Sequence, residues 1–327
     1  MTTNSQHYEF KSPSLSYKNA MVTVDVLERD PTHKPRVVWS VDGKEVYRTD
    51  LCKIFSDLKF EAARTAIYTY DDEARAHAVG LNCGAMASPE HLAPVFLMWP
   101  HRRFNVNIVS GADVNCGADG KSAAKVAELP LMDGSAAPFF YGLRRAAGEP
   151  EELVFYDAPV NANWDLKTSG DNPRTYGHVR IMPAETFEVE YVLDRSVARG
   201  DTCDLQSAAS VSLYSPENLF QIFMARTFIS QLELDAARSN GLLKGVDESC
   251  GLLLDAKASA GCPCNENFRV ANEPAMHKIL DLIGDITFIC PALPKVRIEI
   301  TNGGHVSHRQ IMEKLIPYVS AGLFEKI

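Results

Sequence analysis

Apolar positions gather into short β-branched runs early in each half of the chain and into longer blocks with one apolar face later on. Residues 20–28 (Ala-Met-Val-Thr-Val-Asp-Val-Leu-Glu) and 36–40 (Arg-Val-Val-Trp-Ser) are dense in β-branched side chains. The turn-like Arg29-Asp30-Pro31-Thr32-His33-Lys34-Pro35 separates them, so both read as strands. A first helix is predicted from Ser88-Pro89-Glu90, with Ser88 as N-cap, Pro89 as first helical residue, and an apolar body from Leu92 to Met98 that stops before Pro100. A second follows Asp133-Gly134-Ser135, where Ser135 is placed to cap residues 136–147 and Gly148 to end them.

The polar stretch Gly148-Glu149-Pro150-Glu151-Glu152 marks a domain boundary, dividing 1–150 from 151–327. The second half repeats the order of the first. Strands are expected from Arg174 to Val192, then helices from Ser215 to about Ile222, Ala275 to Ile283 and about Val306 to Val319. Strands segregated from paired helices predict two α+β domains, each a sheet layered on helices.

Composition narrows the class. A chain of 327 residues, 46% hydrophobic and 23% charged, has material for two cores and is not disordered or fibrous. With 33 basic against 42 acidic residues, the net charge of −9 argues against a nucleic-acid or anionic-membrane partner. Met1 to His7 is polar and lacks the apolar core of a secretion signal, and no apolar run is long enough to span a bilayer. The expectation is a cytoplasmic protein without stable membrane insertion. Eight scattered cysteines with no Cys-x-x-Cys pair read as reduced thiols, and Cys262-Pro263-Cys264 reads as a loop.

Three constellations can carry chemistry. His277, Asp281 and Asp285 stand at i, i+4 and i+8, stacked on one face of a helix whose other face is Ile279, Leu280, Leu282 and Ile283. A histidine and a carboxylate one turn apart can grip a metal ion, but a solvated polar face has the same spacing. Glu90-His91 offers a further ligand beside a general base, or simply two solvated residues of a first helical turn. Asn302-Gly303-Gly304-His305 is either a turn or a loop that exposes a proton-transferring imidazole. Histidines 7, 33, 77, 101, 178 and 308 read as surface or core residues. Gly120-Lys121-Ser122 is not a nucleotide phosphate loop, because Asn115 stands where that loop requires glycine.

In chain order, Glu90-His91-Leu92, Leu131-Met132-Asp133-Gly134-Ser135-Ala136-Ala137-Pro138-Phe139, Ala225-Arg226-Thr227-Phe228, the His277 to Asp285 run and Gly304-His305 together resemble the zinc-dependent UDP-3-O-acyl-N-acetylglucosamine deacetylases of lipid A synthesis. The resemblance spans about residues 86 to 317. It implies two similar α+β domains with the site at their junction. It also implies Zn²⁺ held by His91, His277 and Asp281, with Glu90 as general base and Thr227 donating to the oxyanion. His305 would protonate the departing amine and Asp285 would orient it. Phe187 matches an aromatic that stacks on uracil, Lys278 a lysine near the phosphates, and Phe228 belongs to the same substrate side. Residues 231–260 resemble an acyl-chain passage, with Cys250 along it.

Several family positions differ. The family's N-terminal Gly-Leu-His-Ser-Gly turn corresponds to Ser14-Leu15-Ser16-Tyr17-Lys18-Asn19, so a substrate-binding histidine is absent. Asn302 replaces a lysine three residues before the catalytic histidine, and His308 replaces an asparagine three residues after it. The Gly/Ala/Asp-rich residues 111–128 form a longer segment. The differences fall on the groups that hold the nucleotide, while the amide-cleaving set is complete. The implied substrate is therefore an N-acetylated amino sugar, with a different N-acetylated small molecule as the alternative, and a non-catalytic binding relative as the third reading.

Overall fold

In the computed structural model, the described residues are 5–15, 17–29, 36–50, 69–71, 75–77, 85–109, 126–168, 172–194, 205–240, 243–254 and 267–320. The first half builds β1 (Gln6–Ser12), β2 (Ala20–Val26), β3 (Arg36–Val41), β4 (Lys44–Asp50) and β5 (Arg103–Val109), then α1 (Ala137–Ala147). The second half builds β6 (Ala162–Lys167), β7 (Thr175–Pro183), β8 (Phe187–Asp194), β9 (Gln206–Leu213) and α2 (Pro216–Phe223). It continues through β10 (Phe228–Ser230), α3 (Gln231–Ser239), β11 (Leu252–Leu254), α4 (Glu273–Ile289), β12 (Val296–Thr301) and α5 (His305–Ser320).

The two five-stranded sheets have one topology. The first runs β1-β2-β5-β3-β4 and the second β6-β7-β12-β8-β9, with one parallel pair in each, β3 with β5 and β8 with β12. The fold is α+β, as the strand and helix pattern predicts. Strand β2 shows the driving force: Ala20, Val22, Val24 and Val26 point inward while Met21, Thr23 and Asp25 alternate outward. One apolar core joins both halves, from Val24, Phe104 and Phe139 to Val189, Ile298 and the Ile279, Leu282 and Ile283 side of α4. Burying each such side chain stabilises by about 1.5–3 kcal/mol.

Some elements depart from the pattern. Strand β1 went unmarked because it is an edge strand with one buried residue, Phe10, and otherwise polar or half-exposed positions. Residues 88–98 are not the expected helix but two 3₁₀ turns, Pro89–His91 and Ala93–Met98. Pro94 is the cause: it has no N–H to give the ladder, and in an α-helix its ring would strike the carbonyl of Glu90. Ser88 does not cap, since it sits in the left-handed region at φ 62° with no side-chain hydrogen bond. The 136–147 helix starts one residue later than expected, with Ser135 Oγ still accepting from the Ala137 N–H at 3.3 Å. Among the described residues no helix is long and apolar enough to cross a membrane.

Candidate metal and proton-transfer site

Helix α4 is the spine of the site. Its i, i+4, i+8 face carries His277, Asp281 and Asp285, which are only 1%, 2% and 4% exposed, so the solvated-face reading is overturned. The cover comes from the Pro89–His91 turn, and the contact requires Gly284: a Cβ there would lie 2.0 Å from the Glu90 carbonyl oxygen. A glycine inside a helix costs about 1 kcal/mol against alanine, and here it lets a second backbone touch the helix. Glu90 and His91 are thereby delivered, both buried, onto the polar face of α4.

His91 Nε2 lies 3.5 Å and His277 Nε2 3.2 Å from Asp281 Oδ1, with the two rings edge to face at 5.0 Å. His277 is fixed from behind, its Nδ1 3.1 Å from the Ala225 carbonyl oxygen. A proton on Nδ1 leaves the Nε2 lone pair facing the carboxylate. That carbonyl is itself held, because the Arg226 N–H and guanidinium Nε donate to Glu273 Oε1 at 3.0 and 2.8 Å in a buried ion pair on the first turn of α4. Burial lowers the His277 imidazole and favours its neutral form. Burial also works to raise Asp281, but His277 when protonated, and Lys278, outweigh it and hold the carboxylate well below the usual range.

Two imidazoles and one ionised carboxylate with convergent atoms fit a divalent ion such as zinc. A further mark is Glu90 Oε2, buried and without a protein hydrogen-bond partner. Such an atom calls for a water or ligand to satisfy it. Burial raises the Glu90 carboxyl against the opposing pull of His305 and His91, giving a stronger base than an ordinary glutamate.

One turn further along α4, Asp285 Oδ2 accepts from His305 Nδ1 and from His308 Nδ1, both at 2.8 Å. Burial works against the charge on Asp285, but His305 and the two hydrogen bonds keep it ionised. Burial would lower His305; the charge and hydrogen bond of Asp285, with Asp281 and Glu90 behind, raise it from 6.5 to about 9. His305 is 14% exposed at its side chain, whereas Asp285 is 4%. The site therefore holds a buried carboxyl raised by its surroundings, an imidazole raised by Asp285, and a cluster of three side chains that could hold a metal ion.

Other predicted residues vary in position. Thr227 follows Arg226, its N–H donating to the Gly134 carbonyl and its own carbonyl accepting from Leu252. Phe228 packs its ring edge to face at 6.2 Å from His277, and Lys278 Nζ lies 5.6 Å over that ring while pairing with Asp281 Oδ2 at 2.7 Å. Lys278 is thus engaged with the Asp281 carboxylate. Cys250 is buried beside Gly134 and Gly251, its thiol pushed up by burial.

Phe187 corrects the expectation of a base-stacking ring. It is wholly buried in the main core, so both faces are occupied by packing. Asn302 sits at φ 54°, accepts from the Asp194 N–H and donates to the Tyr176 carbonyl, which makes it the hinge between β12 and α5. Ser16 and residues 110–125 lie outside the described residues, as do Cys262 and Cys264.

Two participants escaped the sequence reading. His308, expected at the surface or in the core, is in the core, fully buried, and there it meets Asp285, a contact the sequence reading does not show. Its signal was the i, i+3 spacing from His305 on one helix. Gly284 was legible as a glycine in mid-helix, a mark of close approach.

The family model described as UDP-3-O-acyl N-acetylglycosamine deacetylase matches residues 121–317. Curated proteins called UDP-3-O-acyl-N-acetylglucosamine deacetylase are similar to the chain. That of Pseudomonas entomophila is 29% identical over 200 residues, covering 59% of this chain and 60% of its own. That of Thermodesulfovibrio yellowstonii is 28% identical over 193 residues, 58% and 60% of the two chains. That of Saccharophagus degradans is 27% identical over 201 residues, 57% and 58%. The matched region spans about 60% of the length of these relatives.

Proposed function

The chain belongs to the UDP-3-O-acyl N-acetylglycosamine deacetylase family, and from that premise we propose that it is a zinc-dependent hydrolase removing the N-acetyl group from an amino sugar. The observation that carries the reading is the buried convergence of His91, His277 and Asp281 beside an unsatisfied Glu90 Oε2. Zinc held by these three residues would supply a Lewis acid for the acetyl carbonyl and acidify the attacking water.

Glu90 Oε2 takes the proton from the attacking water as the new C–O bond forms. Thr227 offers its hydroxyl to the developing oxyanion. His305, a cation at neutral pH, passes a proton to the amine nitrogen as the C–N bond breaks, and Asp285 holds the ring through Nδ1 so that Nε2 makes the transfer. Lys278 and Phe228 border the ligand cluster, where they would contact a bound substrate. The passage-like insert of 231–260, with Cys250 along it, and the division into domains 1–150 and 151–327 belong to the same reading. Support for the division comes from the identical strand order in the two halves.

A second reading, deacetylation of a substrate without the full nucleotide, is favoured by Asn302. Its side chain is tied into the β12–α5 hinge and offers no cation to a phosphate. The test is acetate release by zinc-loaded protein from N-acetylated amino sugars with and without a UDP group. Micromolar KM for the UDP-linked acylated sugar supports the first reading; turnover of the nucleotide-free sugars alone supports the second. No acetate from any of them overturns both.

A further inference from the structure

His308 lies within the proton-transfer half of the site but has no part in the steps above. Its ring is fully buried, between Asp285 on one side and Tyr191 on the other. Nδ1 is 2.8 Å from Asp285 Oδ2 and Nε2 is 3.4 Å from the Tyr191 hydroxyl, with the His305 ring edge to face at 5.6 Å. We propose that His308 is a positioning residue: a neutral imidazole locked as its Nδ1–H tautomer, which pins Asp285 so that this carboxylate in turn aims His305.

Donor and acceptor chemistry leaves one arrangement. Asp285 is ionised and can only accept, so both imidazole nitrogens facing its Oδ2 must carry hydrogens. Burial keeps His308 neutral, so a proton on Nδ1 leaves Nε2 bare. A bare Nε2 needs a donor, and Tyr191 supplies it, since burial holds that phenol protonated. The groups facing the trio are Glu90 from the 3₁₀ turn, Asp281 from α4, Tyr191 from β8 and, behind it, Tyr176 from β7. These four are acidic residues or phenols; the cation beside His308 is His305 itself, which opposes a second positive charge on His308. Asp285 alone has one rotatable bond between its carboxylate and Cβ; a second donor on the same oxygen removes that freedom. Gly303 lets the hinge close over this packing, as a Cβ there would lie 2.8 Å from the Tyr191 hydroxyl.

The inference rests on the deacetylase reading for its kinetic arm and on the geometry alone for its spectroscopic arm. Long-range ¹H–¹⁵N NMR of zinc-loaded protein should show His308 neutral with hydrogen on Nδ1, and Tyr191→Phe should loosen it into a tautomer mixture. An Nε2–H or charged His308 overturns the proposal. In kinetics, His308→Ala should lower kcat roughly tenfold to hundredfold, the range set by loss of one hydrogen bond to a charged group, with KM and zinc content unchanged. His308→Asn, whose amide N–H reaches the same oxygen, should recover most of kcat, whereas a purely space-filling role would be met better by His308→Leu. Equal kcat for the Asn and Leu variants overturns the proposal. If wild-type protein releases no acetate, the deacetylase reading fails, and the NMR result alone decides the tautomer lock.

Discussion

Two clusters of identical composition sit one turn apart on α4, each with two histidines and one aspartate, and their imidazoles face the carboxylate through opposite nitrogens. In His91, His277 and Asp281 the imidazoles turn Nε2 toward the carboxylate. In His305, His308 and Asp285 they turn Nδ1. In the first set His277 has its Nδ1 tied to the Ala225 carbonyl, so its Nε2 lone pair turns to the same carboxylate oxygen that His91 Nε2 faces, an arrangement that suits a cation. The second set satisfies its carboxylate with two N–H donors, so it stores a proton. In the proposed function the same residue types serve as ligands or as an acid according to which ring nitrogen the surroundings leave bare.

The strongest way to break the contrast is to empty the first cluster. His277→Ala or Asp281→Ala removes one of three ligands and should strip the zinc and abolish acetate release, as measured by elemental analysis and turnover. Full metal occupancy in both variants would end the ligand assignment. The second cluster should lose activity without losing metal. His305→Ala, like Glu90→Ala, is expected to keep zinc and lower kcat by about 10²–10⁴-fold.

The pH dependence sharpens the same point. If His305 is the acid proposed here, turnover should fall as pH rises, with the limb no higher than about 9, because a bound dication could only lower that value. The stability sign agrees. A folded value raised above the ordinary 6.5 gives stabilisation that is complete below that pH and lost as pH rises through about 9. Asp285, held low, adds stabilisation that is lost as the pH falls through its own titration. A wild-type limb that survives in His305→Gln would show that another group sets it. The smallest effect belongs to the contact that joins the clusters to their base. Gly284→Ala must push the Glu90 backbone away, costing about 1–3 kcal/mol of stability and a further loss of kcat, checked by thermal unfolding and single-turnover rates.

Much of this was written in the sequence. The i, i+4, i+8 spacing of His277, Asp281 and Asp285 follows from helix geometry alone, and Glu90 and His91 are chain neighbours, so their joint delivery needs only a turn. Pro94 and Gly284 supply the steric reason why that turn is 3₁₀ and where it touches α4, but the sequence reading expected a helix over Pro94 and only the structure shows both effects. Tertiary structure alone decided the rest. Whether the polar face of α4 met water or another backbone, which nitrogen of each imidazole met a carboxylate, and that Phe187 was spent on the core while His308 was drawn onto Asp285, all depend on segments far apart in sequence meeting in space. Local periodicity carries the direction of a side chain from its own backbone, but not the identity of what it faces, because that neighbour is chosen by packing of the whole chain.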